Sequence, residues 1–167
     1  AWIVLPWATA VQGITSHTRA GRLDVDAPAC VAITGIDTRL GQRLAERLLA
    51  LAKPPRVVGV GPRRPPQLAG RIVHHPVDLT RPALASTLAE LLAHERVDAL
   101  AHLAFRESPG ADSELDHELE TIGSLQLFEA CACVNLRRLV VASSTMLYGP
   151  RPDNPNFLGE DHALAGH

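Results

Sequence analysis

Aromatic side chains are nearly absent from this chain: two Trp, one Tyr and three Phe make up 4% of 167 residues. Its core therefore has to be filled by Leu, Val, Ala and Ile, an aliphatic bias that suits strands buried on both faces by helices. Cysteine is scarce too. Cys30, Cys131 and Cys133 form an odd set with no disulfide framework, and they read as reduced, small core or surface residues of a cytoplasmic protein. Cys131 and Cys133 lie two apart in a helical run and so point in different directions. Basic tracts are missing and the formal net charge is −2, which argues against nucleic acid as a partner. Long hydrophobic runs are missing as well. The most apolar segment, Ala1 to Ile14, is broken by Pro6 and too short to cross a bilayer, so no membrane association is expected. It holds Ala8-Thr9-Ala10, which is similar to a signal-peptidase site, but lacks a charged leader. An N-terminal strand or arm that packs on the domain or on a partner is expected there, followed by a polar linker from Ser16 to Pro28. No metal site is expected. The eight histidines are scattered, and neighbours such as His74 and His75 on a strand face opposite sides.

What is present is a globular composition, 46% hydrophobic and 20% charged, at a length that suits one domain. The expected division is an arm and linker over residues 1–29 and a domain over residues 30–167. From Cys30 onward the pattern alternates. Val31 to Thr34 reads as a strand, and Leu40, Leu44, Leu48 and Leu51 form an apolar stripe at helical spacing. Arg56 to Gly61 and Arg71 to Val77 read as strands, with a Pro/Arg loop between them. Leu84, Leu88, Leu91 and Leu92 mark a second helix. Val97 to Phe105 reads as a strand, Glu114 to Val134 as a long helix, and Leu139 to Ala142 as a fifth strand. The stretch from Tyr148 to His167 reads as loop. Strands alternating with helices imply an α/β fold, a doubly wound (Rossmann) parallel sheet of about five strands with helices on both faces. Ligands of such a sheet bind at the carboxyl ends of the strands.

The segment from Val31 to Gly41 carries the chemistry. An apolar strand ends in Thr34-Gly35, passes through Ile36-Asp37-Thr38, and enters a helical pattern at Arg39-Leu40-Gly41. A strand, a glycine turn and a helix N-terminus in that order present backbone N–H groups to a pyrophosphate. Candidate cofactor-binding residues are therefore Thr34, Gly35, Asp37, Thr38, Arg39, Leu40 and Gly41. The middle glycine of a dinucleotide fingerprint is replaced by Thr38, a β-branched residue expected to crowd a phosphate and stiffen the turn. The acidic residue that binds the adenosine ribose, about 20 residues on, falls at Gly61. Arg63 and Arg64 follow it, which tilts the choice slightly toward a 2′-phosphate and NADP over NAD. The same arginines equally suit a solvated loop.

Through Thr34-Gly35 to Gly41, Asp78-Leu79, His102-Leu103-Ala104-Phe105 and Ser143-Ser144 to Tyr148-Gly149, the chain resembles, from about Cys30 onward, the extended short-chain dehydrogenase/reductase family, the NAD(P)-dependent sugar-nucleotide epimerases and dehydratases. Thr34-Gly35 to Gly41 resembles its glycine loop, and Asp78-Leu79 the acidic stop after the third strand that holds the adenine. His102-Leu103-Ala104-Phe105 resembles the segment lining the cofactor, where Leu103 and Ala104 are the candidates. Ser143-Ser144-Thr145-Met146-Leu147-Tyr148-Gly149 resembles a Ser-Ser-x-x-x-Tyr-Gly segment. The resemblance implies that Ser144 orients a substrate hydroxyl, with Thr145 as a second hydroxyl. Glu120 takes a slot where the family usually carries Asn, and reads as a solvated helix residue. The family's Tyr-x-x-x-Lys pair, whose Lys lowers the tyrosine pKa, is not met. Tyr148 is the lone tyrosine and Pro152 stands four residues on. The resemblance places that pair just past His167, so the chain is expected to be truncated before the catalytic pair and the substrate domain, and inactive as it stands. The alternative is a non-catalytic nucleotide-sensing or protein-interaction module of the same fold, with no bound cofactor required. In that case the arm serves as a docking element, and the outer edge of the fifth strand pairs with another chain, in a homo-oligomer for instance.

Overall fold

The computed structural model describes residues 2–5, 27–105, 118–143, 148–149, 152–159 and 162–163. Its strands are β1 (Trp2–Leu5), β2 (Cys30–Thr34), β3 (Arg56–Val60), β4 (Val73–His75), β5 (Ala99–His102) and β6 (Arg138–Ala142). Its α-helices are α1 (Arg39–Leu49), α2 (Ala85–His94) and α3 (Ser124–Ala132), the last entered through a π-helical stretch at Glu118–Gly123. They form one six-stranded sheet in the order β1-β6-β5-β2-β3-β4. The five strands β2 to β6 run parallel, which is the doubly wound arrangement expected from the alternation of strands and helices. β2 lies at its centre and every residue of it is buried.

Both faces of the sheet are covered. Ala32, Val58, Val60 and Leu100 point to one side, where they meet Leu88 and Leu92 of α2 and Leu127 and Cys131 of α3. Val31, Ile33, Val57 and Ala101 point to the other, against Ala45 of α1 and against Ile36 and Leu68. Alternate residues of β2 thus serve two cores, which is why its sequence is apolar throughout. Leu88 and Leu92 are each 1% exposed, and burying a side chain of this kind contributes about 2 kcal/mol.

Several boundaries differ from the sequence expectation. α1 docks through Gly41 and Ala45, with Leu44, Leu48 and Leu49 alongside. Leu40 and Leu51 of the expected stripe are 44% and 53% exposed. The small residues win because the helix sits close on the sheet, and bulkier ones flank the contact. The third parallel strand is confined to Val73–His75, since the amide of Arg71 is already used in a turn to Leu68 O. The long helix ends at Ala132, with Cys133 as its cap, and its described start is π-helical. The outer edge of β6, which the interaction-module alternative leaves to another chain, is taken by the N-terminal strand β1, which pairs antiparallel from Trp2↔Ala142 to Leu5↔Leu139.

Polar ties from Asp98 and Glu95 reach the starts of β2 and β3 and the end of β4. Asp98 accepts from the amides of Ala29 (3.0 Å) and Cys30 (3.2 Å). Arg56 pairs with Glu95 at 2.5 Å and also donates to the Glu95 carbonyl. His75 Nε2–H donates to the same Glu95 carboxylate at 2.8 Å. The Arg56 guanidinium holds the Glu95 carboxyl below its usual range despite burial. None of the three cysteines forms a disulfide. Burial pushes the Cys131 thiol up to about 12 and raises that of Cys30, as suits inert core thiols.

Candidate functional site

The carboxyl ends of β2, β3 and β5 meet at the turn that follows Thr34. Gly35 adopts φ +70°, a conformation open to glycine at no steric cost. A Cβ there would also strike the Leu103 carbonyl and come within 2.7 Å of Ala104 Cα. Gly41 is excluded from any larger side chain by the Gly35 carbonyl, with Ile36 Cα at 3.0 Å from its would-be Cβ. These two glycines therefore let the turn sit flat on the end of β5 and let α1 start directly above it. The Gly35 amide donates to Val60 O at 3.0 Å, and the Leu103 amide to Thr34 O at 3.1 Å, which ties the turn to β3 and β5.

Thr38 is the N-cap of α1, with φ −77° and ψ 158°. Its backbone is extended, so nothing in the turn requires glycine at this place. Its hydroxyl donates to Gly35 O at 2.8 Å and accepts from the Gly41 amide at 3.0 Å. Both hydrogen bonds turn the Thr38 oxygen into the loop. Arg39 and Leu40 begin the helix and are exposed.

The region beyond β3 brings together residues far apart in sequence. Asp37 is directed at Gly61: a Cβ on Gly61 would lie 2.8 Å from Asp37 Oδ1. Asp37 Oδ2 also accepts from Arg63, at 3.3 Å to Nη2. The Asp37 side chain is 14% exposed and that of Arg63 is 82% exposed. The His74 Nε2–H donates to the Gly61 carbonyl at 3.1 Å. Burial lowers the His74 pKa below its usual value. Arg64 is exposed on the same loop.

Asp78 folds its carboxylate back on its own loop, where Oδ1 accepts from the Thr80 amide (3.0 Å) and the Thr80 hydroxyl (2.8 Å). Leu79 is a core residue, 4% exposed, and the structure puts its carbonyl 3.0 Å from where a Cβ on Gly123 would sit. Leu103 and Ala104 are buried beneath the glycine turn, one in each core. Ser144 and Thr145 lie outside the described residues. Tyr148 follows them, 8% exposed, with its ring 6.1 Å from that of His162. Glu120 is exposed on the π-helical stretch.

A feature not foreseen from sequence joins three of these elements. Thr34 Oγ1 lies 2.6 Å from His102 Nδ1, and His102 Nε2 lies 2.9 Å from Ser124 Oγ at the start of α3. Thr34 and His102 are fully buried and Ser124 is 8% exposed. Burial pushes the His102 pKa down to about 4, so the ring is neutral near pH 7, one nitrogen donating and the other accepting. A histidine inside an apolar strand was the available signal; its hydroxyl partners come from other elements. Among the described residues no group of three or more His, Cys, Asp or Glu is placed to hold a metal ion, and no helix is long and apolar enough to cross a membrane.

The model of the NAD dependent epimerase/dehydratase family matches residues 31–166. The uncharacterized protein Rv0501 of Mycobacterium tuberculosis H37Rv is 30% identical over 142 residues, 80% of this chain and 36% of its own length. Among solved structures, a short-chain dehydrogenase/reductase superfamily protein from Agrobacterium tumefaciens with bound NAD is 26% identical, with a TM-score of 0.61 over 83% of this chain and 39% of that one. The UDP-glucose 4-epimerase of Thermus thermophilus, in complex with NAD, is 23% identical, with a TM-score of 0.65 over 82% of this chain and 44% of that one. The chain therefore spans less than half the length of the proteins it matches, 36% to 44%.

Proposed function

The chain belongs to the NAD dependent epimerase/dehydratase family, and from that premise we propose that it is the dinucleotide-binding, N-terminal part of an epimerase- or dehydratase-like oxidoreductase acting on a sugar nucleotide or a similar hydroxyl substrate. One observation carries this reading. Gly35 and Gly41 both sit where a single added carbon would collide with backbone, so the turn keeps the close packing that a pyrophosphate site over a helix N-terminus needs. That both glycines are retained as a cradle indicates that the turn fits a dinucleotide.

When bound, a nicotinamide dinucleotide supplies a hydride acceptor and donor for a hydroxyl-bearing carbon. The chain's own residues position it. The positive end of α1 would meet its pyrophosphate above the Leu103–Ala104 backbone that floors the turn, and Asp78 would serve its adenine side. Ser144, with Thr145 as a second hydroxyl, holds the substrate hydroxyl by hydrogen bonding. The domain extends over residues 30–167, the catalytic Tyr-Lys pair and the substrate domain belong to sequence beyond it, and the protein works in the reducing cytoplasm. Support for the cofactor comes from the relatives solved with NAD.

Isothermal titration of this chain with NAD and with NADP tests the reading. Saturable binding of either at submillimolar concentration is expected, and no heat from either at millimolar concentration overturns it. One observation favours a non-catalytic nucleotide-sensing module instead: Thr38 already satisfies the Gly41 amide at the helix N-terminus. That module binds the dinucleotide yet neither epimerises nor dehydrates UDP-sugars, even in a protein carrying the downstream sequence.

A further inference from the structure

We propose that Asp37 takes over recognition of the adenosine ribose and makes the site selective for NAD against NADP. The inference rests on the dinucleotide reading above and concerns a residue of the turn, not of the strand end. In a doubly wound sheet the ribose hydroxyls are met by an acid at the end of the second parallel strand. Here that strand is β3, and the residue after it is Gly61, which offers no side chain. The vacated space is filled by the Asp37 carboxylate, whose Oδ1 lies 2.8 Å from where a Cβ on Gly61 would be. An acid is thus delivered to the strand end from the glycine turn.

Two further observations bear on what this carboxylate does. The first is its fixity. Asp37 is 14% exposed, and its backbone is tied by the Gln42 side chain, whose amide donates to Asp37 O at 3.0 Å. Gly61 is held in turn by its amide to His75 O at 3.3 Å and by His74 on its carbonyl. The second is the nature of its partner. Arg63 reaches Asp37 at 3.3 and 3.4 Å with a side chain that is 82% exposed, so it is the solvent-exposed member of a loose surface pair. A buried-side acid that accepts from a ribose 2′-hydroxyl repels a 2′-phosphate at the same place. The arginine that would bind the phosphate is engaged by that acid. This inverts the slight NADP preference that Arg63 and Arg64 suggest when read from sequence.

The test is titration calorimetry with NAD and NADP on the chain, on Asp37→Ser and Asp37→Asn, and on Asp37→Ser combined with Arg63→Ala. The parent chain is expected to bind NAD at least tenfold more tightly than NADP. Asp37→Ser is expected to remove that ratio or reverse it, as Arg63 turns to the 2′-phosphate, and adding Arg63→Ala is expected to withdraw the gain for NADP. Asp37→Asn keeps the volume and the fold while removing the charge, so it covers the case in which serine unfolds the turn. An unchanged NAD-to-NADP ratio in both single variants, or a parent chain that prefers NADP, overturns the assignment while leaving dinucleotide binding intact. Absence of binding by either cofactor to the parent chain removes the dinucleotide reading itself, and this inference with it.

Discussion

Replacing Thr38 by alanine removes both hydrogen bonds of its hydroxyl, to Gly35 O and from the Gly41 amide. Loss of an N-cap of this kind costs about 1 kcal/mol, whereas glycine at the same position costs only a few tenths. Thr38→Ala is therefore expected to unfold at lower urea with an unchanged slope, and Thr38→Gly close to the parent. Thr38→Gly is also expected to bind NAD more tightly in calorimetry, because the smaller residue opens the middle of the turn. Equal stability of all three proteins would remove the cap from the argument. His102 gives a second residue-scale expectation. Its folded pKa of about 4 lies below the ordinary value of 6.5 because burial disfavours the charged ring. The unfolded chain therefore binds more protons between those values, and stability is complete above pH 6.5 and lost as pH falls toward 4. The total is about 3 kcal/mol, of which about 2 kcal/mol is gone by pH 5. His74, also lowered by burial, adds in the same direction. Glu95 acts lower, since its carboxyl is held below 4.5 by Arg56 and its contribution disappears only as the pH falls through that folded value. Urea unfolding at intervals from pH 7 to pH 5 checks the sign. A flat profile for the parent chain, or an equal slope in His102→Gln, rules His102 out as its source.

Among the elements, α2 closes in an unusual way. Its carboxyl end turns through Arg96 at φ +51°, and the Val97 amide returns to Leu92 O at 3.0 Å, a left-handed helix stop that normally falls on glycine. A non-glycine residue there costs about 1 kcal/mol, partly offset in a glycine variant by greater freedom of the unfolded chain. Arg96→Gly is accordingly expected to raise the unfolding free energy by about 0.5 kcal/mol; a drop would mean that the Arg96 side chain makes a stabilising contact outweighing the strain. The same helix illustrates which elements could be read in advance. α2 follows from Leu84, Leu88 and Leu92, and β2 from an unbroken apolar run, because both signals are local and the residues that bury them are the ones that carry the pattern. α1 followed as a helix, but its docking face did not: the close approach is made by Gly41 and Ala45, and leucines at the same spacing draw attention to the wrong side. The site divides along the same line. The glycine turn is legible because the strand end, both glycines and the helix start lie within eight residues of chain, Thr34 to Gly41. The Asp37–Gly61 approach and the His102–Ser124 contact, 22 residues apart, depend on which strands become neighbours, and no local pattern contains that.

At the scale of the molecule, the sheet is asymmetric in how its two edges are treated. β4 is an edge of three residues, and a short edge leaves little unpaired backbone to recruit another chain. β6 is longer, five residues, and β1 lies along it in antiparallel register from Leu139 to Ala142. The first strand of the chain is therefore paired with the last of the described sheet, and its backbone supplies partners that β6 otherwise lacks on that side. A variant lacking residues 1–5 keeps the five parallel strands and the glycine turn, and so is expected to fold. Its uncovered β6 edge is expected to show two effects. Amides in Arg138–Ala142 exchange with deuterium faster than in the parent chain, and light scattering detects concentration-dependent self-association that the parent chain does not show. The turn at Gly35 lies on β2, separated from β6 by β5, so affinity for NAD is expected to stay within about twofold, as distant sites behave additively. A monomeric variant with unchanged exchange in Arg138–Ala142 would mean that β1 does not guard this edge in solution. The combination of self-association with intact NAD binding would instead separate the two properties of the sheet: an edge closed by the N-terminal strand, and a ligand site carried by the strands at its centre.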